Sequence, residues 1–397
     1  MERAFTYICI IQFLRSLAWQ CISFLLALYA VSLGAPTTAV GLLFSVLGLA
    51  RFIFENPSGL LVRRIGKKKT ILIGSVLYIF SFVIFFITHQ INFLFVAISL
   101  AGIGYVIATT GSTLYAADLA PSAKRATYMG IFQGSMMASS MVGPILGGLL
   151  ADSYSMKTSF IASILFASTS FILATRIKES KIVENPTYEK KKTTLNEYAI
   201  ILKNRLYLAL FATSIITALE GMSFQQIAVP FYATQSLGLS IIQFSLIQSI
   251  TSFTQILIRF FLIGRLEGRF NRRILIILGY LTRGVAIGCF ALAPEFYSLA
   301  ALSTVSGMGM GIYAPFIEAV WVDSTTDEDR GLVWGVRGSF MDFGQIVGPT
   351  LITLFLDLNV RYPFYLVASI CILNGFSLFW ILRNLLPVSN KLKSTTS

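Results

Sequence analysis

The chain has 397 residues, of which 55% are hydrophobic and only 12% charged, with a mean hydropathy of +0.76. A water-soluble domain needs a polar skin that this composition does not supply, so a soluble globular protein is excluded. The formal net charge of +13 suggests a nucleic-acid surface only until the charges are placed along the chain.

The opening stretch MERAFTYICIIQF carries one arginine and then an apolar run too long for a secretory leader, with no small-residue cleavage site, so it reads as a retained first span. Uncharged runs such as Ile71–Ile87 cross most of a ~30 Å hydrocarbon layer at about 1.5 Å per residue. Backbone groups facing lipid must be paired within their own segment, which requires helix, and the lack of polar–apolar alternation argues against a β-barrel. Twelve spans are predicted in chain order: 5–33, 38–62, 70–88, 92–116, 126–151, 157–177, 206–234, 239–265, 273–293, 296–321, 331–356 and 362–386. An even number puts both termini on one face. That face carries 24 Lys and Arg, among them Arg3, Arg63, Arg64, Lys67, Lys68, Lys69, Lys124, Arg125 and the cluster from Arg176 to Arg205, whereas the other carries two, Lys157 and Arg361. The asymmetry predicts a multi-pass plasma-membrane protein with both termini cytoplasmic, and it accounts for the basic charge without nucleic acid.

The four cysteines, Cys9, Cys21, Cys289 and Cys371, lie in apolar segments at no metal-ligand spacing and read as small buried hydrophobes. His89 is the single histidine and falls in a loop on the face opposite the termini. No glycine loop of the Walker type is present. An enzyme, a metal centre and a bound cofactor are therefore not expected.

The two halves repeat each other. Gly59 and Gly264 lie 205 residues apart, and the same offset joins Arg64 to Arg269, Lys68 to Arg273, Gly104 to Gly309, Asp118 to Asp323, Arg125 to Arg330, Gly130 to Gly335, Gly143 to Gly348 and Pro144 to Pro349. The chain thus reads as a tandem duplication of a six-helix unit, with parallel repeats because each unit has an even number of spans. The predicted fold is all-α: twelve transmembrane helices in two pseudo-symmetric six-helix bundles, residues 1–177 and 206–397. The linker, 178–205, is the one long polar segment, where Thr194 and Glu197 form a capping-box pattern that opens a short amphipathic helix.

These features resemble the major facilitator superfamily over essentially the whole chain. Its signature hairpin, Gly-x-x-x-Asp-Arg-x-Gly-x-Arg-Lys, is matched by Gly59, Arg64, Gly66, Lys68 and Lys69, with Arg63 in the acid position; the second copy keeps Gly264, Arg269, Arg272 and Arg273. The fifth span carries Gly130, Gly134, Gly143, Pro144, Gly147 and Gly148, similar to the antiporter motif of drug/proton antiporter-like exporters, and the eleventh keeps Gly344, Gly348 and Pro349. The fourth span departs from that group, with Ile98 and Ala101 where an Arg and a Gln are usual.

The resemblance implies a secondary active transporter working by alternating access, by default a monomer. It also implies a gate on the termini side, in which Asp118 pairs with Arg64 or Lys68, Asp323 pairs with Arg269 or Arg273, and Arg125 and Arg330 join the clusters. Arg63 is expected either to find its partner in the acidic loop Asp327, Glu328 and Asp329 across the two halves or to face lipid phosphate. The fifth and eleventh spans, with Gly143, Pro144, Gly147, Gly348 and Pro349, are expected to form a sliding seam or ordinary tight packing.

Charges deep in a span cost several kcal/mol to bury and mark function. Arg15 in the first span and Glu220 in the seventh either pair across a central cavity, or act separately, Glu220 carrying a proton and Arg15 holding an anionic group. Glu318 and Asp342 are secondary proton or substrate candidates, and Arg51 and Glu55, four apart, read as a local pair. Gln12, Trp19, Gln20, Tyr105, Thr109, Gln133, Gln225, Gln226 and Tyr313 are candidate cavity-lining residues. Proton-coupled export of amphipathic compounds is the leading expectation. Uptake of a small anionic metabolite anchored by Arg15, and a transporter-like receptor that no longer cycles, are the alternatives.

Overall fold

Residues 2–121, 124–179, 195–267, 269–326 and 329–385 are described by the computed structural model of the chain. Among them are twelve helices long and apolar enough to cross a membrane: α1 (Arg3–Ser32), α2 (Thr37–Ile65), α3 (Lys67–Ile87), α4 (Ile91–Leu119), α5 (Thr127–Ser153), α6 (Met156–Arg176), α7 (Arg205–Ser236), α8 (Ile241–Glu267), α9 (Arg272–Phe290), α10 (Phe296–Ser324), α11 (Leu332–Leu358) and α12 (Tyr362–Arg383). The predicted spans agree in number and order, and no end differs by more than three residues. A short helix, Leu195–Lys203, lies in the linker; its expected cap, Thr194, is outside the described residues.

The duplication extends to backbone packing. A Cβ added to Gly74 would lie 2.8 Å from the carbonyl oxygen of Gly104, and one added to Gly104 would lie 2.8 Å from that of Gly74. Gly279 and Gly309, 205 residues further on, face each other in the same way at 2.9 and 2.7 Å. Each glycine pair lets two helices, α3 with α4 and α9 with α10, touch backbone to backbone. In lipid, where apolar contact with a neighbouring helix gains little over contact with acyl chains, such close approach supplies much of the packing energy.

α1, α7 and α8 are irregular, α8 being π-wound over Ile258–Leu262. α1 loosens into a turn at residues 21–24, while α7 is π-wound over Leu219–Ala228 and again over Tyr232–Ser236. The irregularities of α1 and α7 lie against glycine faces: Gly143 and Gly147 of α5 abut Gln20 and Cys21, and Gly348 of α11 abuts Leu219 and Ser223. Of the seam candidates, Pro349 lies against the other half, its carbonyl meeting Gly41 of α2, while the others pack tightly within their own halves. Gly143, Gly147, Gly344 and Gly348, with the buried Pro144 between the first two, pack α5 on α1 and α11 on α7 inside their own halves.

The contact between halves uses other small residues. On α2, Gly41 meets the Pro349 carbonyl and the Thr353 side chain of α11, and Gly48 meets the backbone of Gln345. Ser45 Oγ and Thr350 Oγ1 are 3.0 Å apart. On the other flank Gly148 of α5 meets Ser245 of α8, and the rings of Phe24 and Phe244 lie 5.6 Å apart. All these contacts lie towards the face opposite the termini, where Lys157 Nζ and His89 Nε2 also meet at 3.1 Å. At the termini end of the same helices, Gly130, Gly134, Gly264 and Gly335 have no neighbour within 4 Å of a Cβ position. The close contacts between halves thus gather towards the face opposite the termini.

This packing separates two kinds of glycine. Gly147→Ala drives a methyl into the Cys21 carbonyl and is expected to destabilise by about 1–3 kcal/mol. Gly134→Ala faces open space and is expected to be neutral or to stabilise by about 0.5–1 kcal/mol. Thermal unfolding of the detergent-purified variants checks the order.

Candidate functional site

The strongest charge centre lies inside the second half. Glu220, at the start of the π-wound part of α7, accepts from Arg283 Nε of α9 at 2.6 Å, with both side chains almost fully buried. The same carboxylate accepts from the Tyr313 hydroxyl of α10 at 3.4 Å and from the Cys371 thiol of α12. Arg283 also reaches Ser306 Oγ at 3.4 Å, and Tyr313 is stacked on Tyr280 with ring centroids 3.9 Å apart. Four helices therefore converge on one carboxylate. The π turn inserts an extra residue per turn, which changes the direction in which Glu220 leaves α7.

The expected Arg15–Glu220 pair is not formed. The two residues are 205 apart, so each is the other's pseudo-symmetry mate, held deep inside its own bundle. Arg15 donates to Ser112 Oγ of α4 at 3.0 Å and to Gln12 Oε1, while its Nε has no partner. Position 78, which corresponds to Arg283 in the repeat, is a tyrosine whose hydroxyl is also unpartnered. The second half thus buries a neutral ion pair, whereas among the described residues the first half buries a cation held by neutral groups alone.

A third cluster joins α10 to α11. Glu318 accepts from both Nη atoms of Arg337, one at 2.8 Å, and the guanidinium lies over Trp334 and Trp321 with centroid distances of 4.7 and 5.2 Å. A cavity beside it is lined by Thr213, Thr217, Met310, Tyr313, Trp321 and Glu318. Arg283 lines a second cavity with Gln225, Gln248, Thr251, Ser303 and Ser306. The Glu220 cluster stands between the two, Tyr313 facing one and Arg283 the other.

A fourth cluster crosses between halves. Arg51 does not pair with Glu55 as expected; its Nη1 donates to Gln345 Oε1 of α11 at 3.2 Å and its guanidinium lies 4.6 Å above the Tyr105 ring. Asp342, 7% exposed, faces Glu55. Of the remaining lining candidates, Gln12 and Trp19 are buried in α1, Gln133 is exposed on α5, and the Gln225 carbonyl accepts from Gln248 Nε2 at 2.8 Å.

On the termini side the acid–base pairs form within each half, but with different bases from those expected. Lys67 rather than Arg64 or Lys68 pairs with Asp118, and Arg272 rather than Arg269 or Arg273 pairs with Asp323 at 2.6 Å and with Glu267 at 2.8 Å. Lys67 and Arg272 are themselves 205 apart, so the duplication holds one residue earlier than the signature suggests. Gly66 adopts φ +90°, and Glu179, just past α6, accepts from the Lys68 backbone N–H at 3.1 Å, adding an acid to the positive start of α3. Gly59 and Gly264 touch nothing, and Arg125 is exposed. Arg63 is exposed without an ion pair among the described residues, and Asp329 is held by Thr326. Asp327, Glu328 and the side chain of Arg330 lie outside the described residues.

Arg283, Cys371, Arg337 and Lys67 are the residues that sequence reasoning missed as partners. The first could have been found from its position, since a lone arginine in the middle of a span needs a buried acid and α7 offers one.

Comparison with known proteins places these features in context. The family model described as Major Facilitator Superfamily matches residues 8–226 and 212–396. The chain is 21% identical to the Multidrug resistance protein 2 of Bacillus subtilis, covering 86% of each, and 22% identical to the Quinolone resistance protein NorA of Staphylococcus aureus, covering 87% of the chain and 88% of that protein. It is 27% identical to an uncharacterised MFS-type transporter of Methanocaldococcus jannaschii, over 88% of the chain and 90% of that protein. Among solved structures, the nucleoside transporter NupG superposes with a TM-score of 0.75 at 14% identity, covering 96% of this chain and 99% of that one. The peptide transporter POT in complex with sulfate gives 0.78 at 14% identity, covering 96% and 94%. At such identities the two structures bear on the fold alone.

The buried pair generates a stability test. Removing one partner leaves an uncompensated charge, so Glu220→Gln and Arg283→Gln are each expected to cost about 3–5 kcal/mol, and the double variant less than their sum. Denaturation of the four proteins in detergent measures the coupling.

Proposed function

The chain belongs to the major facilitator superfamily, and from that premise we propose that it exports small amphipathic compounds in exchange for protons by alternating access. It is a multi-pass membrane transporter and not an enzyme. The observation that carries the proposal is the Glu220 carboxylate, buried between two cavities and held by Arg283, Tyr313 and Cys371. Names given to relatives for multidrug and quinolone resistance support export of lipophilic compounds. So does the lining of the cavity near Glu318, where Met310, Tyr313 and Trp321 offer adaptable apolar and aromatic surface beside an acid.

In this reading Glu220 takes up the proton. Protonation removes the negative member of the pair and frees Arg283 towards the polar cavity of Gln225, Gln248 and Ser306; deprotonation restores the clamp across α7, α9, α10 and α12. Two arrangements of one bundle, biased by a proton, are what a rocking transporter needs. Glu318 and Arg337 are assigned to the substrate route. Lys67–Asp118 and Arg272–Asp323 brace the termini-side ends of the helices that close the gate. The bundles 1–177 and 206–397 move as bodies about the linker 178–205, in a monomer. In the same reading the protein lies in the plasma membrane with both termini cytoplasmic, which the excess of Lys and Arg on the termini side supports.

A second reading, uptake of a small anionic metabolite, has one observation in its favour: Arg15 is a buried cation held by neutral groups alone among the described residues.

Everted membrane vesicles with an imposed pH gradient test both. A fluorescent lipophilic cation is expected to accumulate in wild-type vesicles and to fall in Glu220→Gln vesicles to the level of membranes lacking the protein. Gradient-independent behaviour of the cation, with uptake of small carboxylates abolished by Arg15→Gln, gives the second reading instead.

A further inference from the structure

Glu55 of α2 and Asp342 of α11 come from opposite halves and line one cavity; Glu55 reaches across to α11, its Oε1 lying 3.9 Å from a Cβ placed on Gly338, one turn before Asp342. The cavity, about 90 Å³, is also bordered by Phe52, Asn56, Trp334 and Ser339 and is large enough to hold water. Two carboxylates this close repel strongly if both are charged, whereas a single proton turns the repulsion into a hydrogen bond.

Two further observations point to a ligand here. Asp342 is 7% exposed, borders the cavity, and receives no hydrogen bond from any donor among the described residues. Arg51, the cation at this level, donates through Nη1 to Gln345 and lies over the face of Tyr105; its Nε has no partner, and it forms no ion pair with either acid among the described residues. The other neighbours add no charge at this level. α7 meets α11 through Ile215 and Ala218, α4 contributes Tyr105, and α11's own Arg337 is turned towards Glu318 of α10. The cluster therefore holds one cation and two carboxyl groups, and one proton makes it neutral.

Its position gives that proton a mechanical role. On one side of it α2 and α11 are in backbone contact at Gly48 and Gln345; on the other, a Cβ placed on Gly59 or Gly335 would have no neighbour within 4 Å. The pair sits at the fork, where the close contacts between the halves end.

We propose that Glu55 and Asp342 form a one-proton site between the halves, loaded from the termini-side water, whose occupancy holds α2 to α11 at the fork. The step is a protonation: hydronium in the cavity gives a proton to one carboxyl oxygen, one O–H bond forms, and no electrons change hands. Loss of the proton leaves two facing carboxylates and a net negative cluster, which favours wider separation. The proton binding stands on this geometry, while its use in coupling rests on the export reading.

Infrared difference spectroscopy of the purified protein in lipid nanodiscs, titrated across neutral pH with and without Na+, tests it. A C=O band of protonated carboxyl is expected in the wild type, lost in both Glu55→Gln and Asp342→Asn, retained in Glu220→Gln and unaffected by Na+. Asp342→Glu, which keeps the carboxyl, is expected to shift the band without abolishing it, which separates loss of the site from loss of the fold. Absence of the band from wild type, or its persistence in both Glu55→Gln and Asp342→Asn, overturns the site. Removal of the band by Na+ at constant pH makes it a cation site and overturns the proton assignment. Because the readout needs no transport, failure of the vesicle experiment leaves this result standing.

Discussion

A charge in hydrocarbon has no water to solvate it, so it must find its partners among the few helices it can touch. Most of the functional geometry follows from that constraint. Glu220 draws Arg283, Tyr313 and Cys371 from three other helices onto one carboxylate, and Arg15 is satisfied by an amide and a hydroxyl. The two centres occupy equivalent places in a duplicated architecture yet hold opposite charges. The repeat preserved what backbone packing demands, the facing glycines of α3 with α4 and of α9 with α10, and let the electrostatics diverge. The result is a symmetric scaffold with an asymmetric charge distribution.

Much of the architecture was legible in the sequence because hydropathy is a one-dimensional signal. A span must be apolar along its length, whichever way its side chains point, and twelve such spans and their duplication could be counted directly. Pairing depends on azimuth, which the sequence does not write so plainly. Neighbouring residues on a helix differ by about 100° in direction, and that single step separates Lys67, which reaches Asp118, from Lys68, which does not. The same step in the second half replaces Arg273 by Arg272. For Glu220 the difficulty is greater, because the π winding of α7 shifts every later side chain relative to a regular helix. Arg283 lies 63 positions away, and no local pattern joins them.

The position of the seam was hidden for a different reason. A run of glycines at four-residue spacing announces a close approach without saying to which helix. α5 spends Gly143 and Gly147 on α1 of its own half and only Gly148 on α8. α2, with the less conspicuous Gly41 and Gly48, makes the corresponding approach to α11. Irregular α1 and α7 explain the demand: where a helix loosens or overwinds, its neighbour must be smooth enough to lie against exposed backbone.

The ion pairs on the termini side bear on how such a chain is made. Lys67–Asp118 belongs wholly to the first bundle and Arg272–Asp323 wholly to the second. Arg15, likewise, is satisfied by Gln12 and Ser112 of its own bundle. A ribosome delivers the first six helices before the last six. During that interval the early bundle can pair or shield these charges from its own residues, before any partner in the second bundle is synthesised. Pairing of these charges within each half thus lets insertion proceed in two steps, leaving the small-residue contacts and a few polar ones, such as Arg51 with Gln345, to be made when the second bundle docks on the first.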